Sequence, residues 1–312
     1  MQFKNLIEKN FTIIFLSIPA TWAGSFIAGK YVVMEIDPLS GVFLRFFFSA
    51  MVMIPFLVIF YRHRHPDFRD RRYLIHLLIV VLTAGIGYHI LFFWALQTTS
   101  PTNTALIIAL NPFYTAFGEI VIFKKSRSRR FYVGFMLAFF GALWVNISRG
   151  TGITLPGFGE LLCLLASLSW SFYTLYAKKT KKAEWDPLWL GAYNYLFTAL
   201  LILPFCIPAV IPRVWSEYSH SAWLGIWYMA IFPTAIGYTL YYIGVQKRGP
   251  AWAATFIYLV PSITANLDHF FFGSALTIPM VIGTTLVVIG LISGNVSRKQ
   301  QASFVQWVQR TK

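Results

Sequence analysis

IGYHILFFWALQTTSP runs from Ile86 to Pro101, and IGYTLYYIGVQKRGP runs from Ile236 to Pro250. Both open on Ile-Gly-Tyr, and both place Gln four residues before Pro. The second copy carries Lys247 and Arg248 where the first is uncharged. At a shift of 149 residues, Gln97, Pro101, Ala105 and Pro112 fall on Gln246, Pro250, Ala254 and Pro261, and Glu119 falls on Asp268. Gly134, Gly141, Asn146, Ser148 and Arg149 fall on Gly283, Gly290, Asn295, Ser297 and Arg298. Upstream, at 148, Trp22 falls on Trp170 and Lys30 on Lys178. Leu, Ala and Gly coincide easily between greasy helices. Pro, Asn, Trp, Lys and acidic matches at nearly one shift do not. The pattern predicts an internal duplication, with one unit over 12–148 and a second over 158–296.

Composition sets the solvent. The chain is 57% hydrophobic and 12% charged, against about 25% charged in a soluble domain. Apolar runs long enough to cross a bilayer core as helices recur throughout. They predict an all-α polytopic membrane protein with ten spans: 12–34, 39–60, 73–97, 102–123, 131–148, 158–177, 188–211, 222–245, 251–272 and 276–296. The short connections leave no room for a soluble catalytic domain. Cys163 and Cys206 lie in apolar runs and read as buried thiols rather than a disulfide. No small-residue cleavage site follows the first run, so it reads as retained helix.

Charge placement sets orientation. The connection after span 2, YRHRHPDFRDRR, holds five arginines. KKSRSRR follows span 4, KKTKKAEWD follows span 6, and Lys247 and Arg248 follow span 8. Lys4 and Lys9 precede span 1, and Arg298, Lys299, Arg310 and Lys312 follow span 10. The termini and even connections thus hold 22 of the 26 basic residues. The odd connections EIDP, QTTSPT and GSALT are poor in basic residues. The positive-inside rule puts both termini in the cytoplasm. The formal charge of +15 therefore concerns a lipid bilayer and its anionic headgroups, not nucleic acid.

Five spans per unit is an odd number, so the second copy enters the membrane from the opposite face. QTTSPT then lies outside, whereas QKRGP lies inside and carries the orienting charges. Such inverted units give a protein two alternative faces around one central site, exposed to each side in turn.

WAGSFIAGK (22–30), Arg45 within FLRFFFSA, the Asn-Pro of IIALNPF (111–112), GELLCLLASLSWSFY (159–173) and YLVP (258–261) follow in order. With the glycine spacing of GFMLAFFG (134–141) and GTTLVVIG (283–290), the chain resembles the drug/metabolite transporter superfamily, EamA branch, over roughly 12 to 296. The resemblance implies a ten-helix bundle of two inverted five-helix repeats. It implies carriage of small metabolites, often amino acids, commonly outward across the bacterial cytoplasmic membrane. It also implies that spans 1, 3, 4, 6, 8 and 9 surround the cavity, with 5 and 10 peripheral. Many members carry a Gly-Glu pair near the ends of spans 4 and 9. Here IFKK ends the fourth span, and Ser274 stands where the second acid would be expected.

Charges near hydrocarbon are costly and need a reason. Lys30 snorkels to water, packs locally, or meets solute or a gate. Arg45 lies deeper and needs acceptors for its five-donor fork. Asp268 shares their outer depth, so an ion pair with Lys30 or Arg45 is expected, with Glu119 and Lys178 as the inner counterpart; the pairs are gates or fixed struts. Pro112 and Pro261 each free a carbonyl one turn earlier, giving a structural kink or a cavity lining. Asn111 and Tyr258 lie beside those breaks. Trp22, Phe26, Tyr88, His89, Trp94, Trp170, Tyr173, Tyr238, Tyr241 and Tyr242 offer aromatic faces on the expected cavity helices. As a set they suit an organic solute with an apolar or aromatic portion. His89 is a proton-coupling group or a neutral imidazole bonded to a carbonyl. The glycines seven apart read as close helix packing.

No His-Glu-x-x-His, Cys-x-x-Cys, phosphate-loop or dinucleotide signature is present, so no enzyme, metal or cofactor is implied. The expectation is a transporter of small organic metabolites, an exporter of amino acids or related compounds. The rival is a channel or ion carrier with no organic substrate.

Overall fold

The structure is a computed structural model and describes residues 2–62, 65–124, 128–147, 157–179, 185–210, 217–273 and 278–295. Ser148, Arg149, Ser274, Ser297, Arg298, Lys299, Arg310 and Lys312 lie outside the described residues. Among the described residues there is no strand, and ten helical rods follow in order. They are α1 (Gln2–Val33), α2 (Pro38–Phe60), α3 (Arg71–Thr98), α4 (Pro101–Ile108 and Asn111–Phe123), α5 (Arg129–Ile147), α6 (Phe158–Lys179), α7 (Pro187–Val210), α8 (His220–Met229 continuing to Arg248), α9 (Pro250–Thr255 continuing to Phe272) and α10 (Ile278–Asn295). They correspond one for one with the ten expected spans. Four helical stretches, Pro38–Phe60, Arg71–Thr98, Phe158–Lys179 and Pro187–Cys206, are long and apolar enough to cross a membrane by length and composition alone. The breaks ahead of Pro112 and Pro261 divide α4 and α9 into shorter pieces.

Local chemistry sets the ends. Asp37, Asp70 and Ser219 cap α2, α3 and α8, each accepting from a backbone N–H of the first turn. Asp186, 149 residues after Asp37, accepts from Leu188 N at 2.9 Å ahead of α7. Gly249 turns α8 into α9 at φ 102°, a conformation that a side chain would strain.

The packing exchanges under the same shift. The rod α1 lies on the first segment of α8, as α6 lies on the last segment of α3. The pairs α2 with α7, and α5 with α10, are each side by side. The α5–α10 seam uses the glycines seven apart. A Cβ on Gly141 would stand 2.6 Å from Gly283 O, and one on Gly290 would collide with Gly134 O and Ala138 N. Gly134 and Gly141 thus meet the shift-mates of one another.

Two features were not expected. In α3, Val81–Gly87 is π-helical, and in α8, Ala230–Tyr238 is π-helical. Both end around the repeated Ile-Gly-Tyr. A π turn misaligns carbonyls from their α-helical donors, and side chains from neighbouring helices take them. Thr83 O accepts from Ser169 Oγ of α6 at 2.9 Å, and Pro233 O accepts from Trp22 Nε1 of α1 at 3.3 Å. Ala230 O accepts from Ser49 Oγ at 2.9 Å, and Thr234 O from Tyr195 OH at 2.8 Å.

Candidate functional site: an aromatic centre between the two halves

Trp22 of α1 and Trp170 of α6 meet edge to face with centroids 5.5 Å apart. Tyr238 lies 5.6 Å from Trp22, and Tyr88 lies 5.0 Å from Trp170. Tyr241 packs on both indoles, at 5.1 Å from Trp22 and 5.4 Å from Trp170. Edge-to-face and tilted geometries satisfy the ring quadrupoles. These rings sit where α1, α3, α6 and α8 converge, beside the two π segments.

Two small cavities flank this centre, each with about 20 Å³ of free volume, room for about one water. One is lined by Trp22, Ser25, Phe26, Arg45, Tyr88, Phe92 and neighbours. The other includes Ala84, Tyr173, Asn194, Tyr195, Thr239 and Tyr242. Trp170 and Tyr238 wall both. Arg45 in the first and Asn194 in the second are 149 residues apart. Helices α1, α3, α4, α6, α8 and α9 all contribute to the first cavity, as the resemblance implied, but α2 adds Arg45 and α7 lines the second.

A directed hydrogen-bond chain runs through the centre. Arg45 Nη2 donates to Tyr238 OH at 2.9 Å, and Arg45 Nε donates to Thr234 Oγ1 at 2.8 Å. His89 Nδ1 faces Ala84 O at 2.7 Å and Gly85 O at 3.0 Å. A carbonyl only accepts, so Nδ1 carries the hydrogen and Nε2 of the neutral ring is the acceptor. With the ring neutral, Tyr238 OH, 2.7 Å away, donates to Nε2. His89 is anchored through Nδ1 on the carbonyls of the π segment.

The expected outer ion pair is not formed. Lys30 Nζ donates to Leu96 O at 2.8 Å and Thr99 O at 3.4 Å, at the carbonyl end of α3. Arg45 bonds Thr234 and Tyr238 and touches Met229 Sδ at 3.9 Å. Asp268 accepts from Thr102 Oγ1, in the first turn of α4. The reason is geometric: equal depth does not make neighbours, and a helix carbonyl end offers a lysine an acceptor cluster with a negative dipole. Lys178 does the same in the second unit, donating to Gln246 O at 3.0 Å near the end of α8. Glu119 is buried on α4.

Other expected residues sort by position. Trp94 is 40% exposed and lies on the outer surface, not in either cavity. Tyr258 is buried in a separate cluster with Phe135, Ala109 and Val287. Asn111 ties α4 to α6, donating to Ser167 O at 3.0 Å and Ser171 Oγ at 2.7 Å. Pro112 leaves Ile108 O without its helical donor, and Ser167 Oγ stands 3.4 Å from it. Ile108 and Ile257, each four residues before a break proline, both line the first cavity. Thus the proline breaks reach the cavity through their isoleucines. Among the described residues no cluster of His, Cys, Asp and Glu has the arrangement to hold a metal.

The profile of the EamA-like transporter family matches the chain twice, over residues 10–147 and 157–293. The chain is similar to an uncharacterized transporter, YyaM, of Bacillus subtilis, with 26% identity across 92% of this chain and 93% of that protein. It is also similar to an uncharacterized transporter of Archaeoglobus fulgidus, with 24% identity across 86% of this chain and 92% of the relative. A solved crystal structure shares the fold at a TM-score of 0.69, with 19% identity over 90% of this chain and 95% of the other. With its apolar helical rods, the protein is a multi-pass membrane protein, and it belongs to the EamA-like transporter family.

Proposed function

We infer that the protein carries a small organic metabolite of the amino-acid class, or a related amphipathic compound, across the bacterial cytoplasmic membrane by alternating access. In this reading the two units, 12–148 and 158–296, are inverted repeats, and both termini face the cytoplasm. Export is the direction the family resemblance suggests. The observation that carries the reading is the pair of small cavities sharing Trp170 and Tyr238 as their common wall. With the topology drawn from the basic residues, Ser25 and Phe26 lie outward of that wall, and Asn194 and Tyr242 lie inward. Separating α1 and α2 from α8 would widen one cavity; separating α6 and α7 from α3 would widen the other. The shared aromatic wall supports a site that is reached from one side at a time. The π segments at this wall offer helices that bend without losing their carbonyl partners.

The test is purified protein in liposomes loaded with a mixed metabolite pool, analysed for compounds lost. Loss of one amino-acid class, abolished by Trp22→Ala or Tyr238→Ala in folded protein, is the expected result. Selective movement of inorganic ions with no organic solute transported would overturn it in favour of a channel or ion carrier.

A further inference from the structure

Arg45 is the deepest charge in the aromatic centre, and its surroundings are unbalanced. Its side chain is 1% exposed. It directs one N–H to Thr234 Oγ1, one to Tyr238 OH, and one to Met229 Sδ at 3.9 Å, a weak acceptor. Two of its five N–H groups have no partner among the described residues. No carboxylate among the described residues is bonded to it. A guanidinium does not shed its charge at any accessible pH, and a buried charge held only by neutral dipoles is strongly disfavoured. In the same cavity, Ser25 Oγ is buried and has no hydrogen-bond partner among the described residues. A guanidinium can only donate. The cavity therefore offers unmet guanidinium donors and one positive charge. Phe26, Phe92, Ile108, Ile257 and Val260 give the cavity an apolar wall, and Tyr88 adds a hydroxyl.

We propose that Arg45 is the docking group for a carboxylate on the transported solute, with Ser25 as an accessory donor and the apolar wall receiving the solute's side chain. A planar carboxylate accepts from two guanidinium N–H groups at once. One guanidinium balances one negative charge, which selects a monocarboxylate over a phosphate dianion. The arrangement also gives the solute a direct hold on the contact between α2 and α8. Tyr238 OH is bonded to the same guanidinium, so a carboxylate arriving at Arg45 competes for the group that ties α2 to the π segment of α8. The proposal rests on the transport reading only for how the solute reaches the site.

The test separates binding from flux. Purified protein is exposed to 2-amino, 2-hydroxy and 2-keto carboxylates with apolar side chains, each beside its primary amide and a phosphate monoester of the same body. Thermal stabilisation reports binding. At least one carboxylate is expected to stabilise the wild type, with its amide about 10- to 100-fold weaker, the factor for losing a charge-assisted bond. Arg45→Gln is expected to erase the carboxylate-over-amide preference. If Arg45→Gln does not fold, Arg45→Lys should retain a weakened preference, and Ser25→Ala should reduce it without loss of folded protein. Equal stabilisation by acid and amide, preference for the phosphate, no stabilisation by any carboxylate, or an unchanged preference in the variants would overturn the proposal. Flux of the same compounds from liposomes is read separately. A carboxylate that binds through Arg45 without crossing would leave the site standing and defeat the transport reading.

Discussion

Tyr238→Phe removes one oxygen and keeps the ring, so the contacts at 5.6 Å from Trp22 and 5.0 Å from Trp170 persist. The hydroxyl accepts from Arg45 at 2.9 Å and donates to His89 Nε2 at 2.7 Å. A bond to a charged group contributes about 1.5–3 kcal/mol, and a neutral one about 0.5–1.5 kcal/mol. His89 Nε2 is then a buried acceptor without a donor, which works in the same direction. The expected destabilisation is about 2–4 kcal/mol, a large share of a marginal total. Reversible unfolding in mixed micelles, compared at constant denaturant slope, measures it. His89→Leu closes a double-mutant cycle, and a coupling of about 1 kcal/mol or more is expected because the two groups share one bond. A loss under about 0.5 kcal/mol, or additive effects in the cycle, would refute the directed chain from Arg45 through Tyr238 to His89.

Gly290→Ala places a Cβ against the backbone of Gly134 and Ala138, which cannot swing aside; thermal unfolding should show a cost of about 1–3 kcal/mol. Glu35, in the connection after α1, accepts from Ser219 N at 2.8 Å and from Ser219 Oγ, and these bonds hold its carboxyl below the ordinary range. That tie is present above the ordinary carboxylate pKa of about 4.3 and is lost as pH falls through the lower folded value. Melting midpoints of wild type and Glu35→Gln should therefore converge on acidification, and parallel curves would count against the tie. Trp94→Ala should change stability by less than about 0.5 kcal/mol and leave flux intact; a loss of flux would return Trp94 to the site.

The ten rods were legible because uninterrupted apolar runs and their short connections leave few alternatives. The glycine seam between α5 and α10 was legible for a similar reason: a spacing of seven puts two glycines on one face. The π segments were not. One extra residue in a turn leaves no trace in hydropathy, and its stabilising bonds come from Ser169 and Trp22, far away in sequence. Arg45 was singled out by its depth, but its partners Thr234 and Tyr238 lie 189 and 193 residues on. Depth predicted an acid for it and for Lys30; the fold supplied hydroxyls and helix-end carbonyls instead. Trp94 was misplaced for want of phase. Six residues beyond Tyr88, it is about 120° round the helix from it, whereas Phe92 shares the face of Tyr88. Tyr258 failed the same way, one position from the cavity residue Ile257.

The most direct test of alternation uses two introduced cysteines, one per cavity, in a variant lacking the buried Cys163 and Cys206. In the proposed topology, Ser25→Cys lies on the outer side of the aromatic wall and Asn194→Cys on the inner side. In proteoliposomes of one orientation, a bulky membrane-impermeant maleimide is first reacted with Ser25→Cys from outside, wedging that cavity open. A fluorescent maleimide inside the vesicle then reports on Asn194→Cys. The expected result is a several-fold fall in inner labelling once the outer cysteine is occupied. Inner labelling that is unchanged or rises, or outer and inner cysteines that both react from one face, would contradict alternating access and favour a continuous pore.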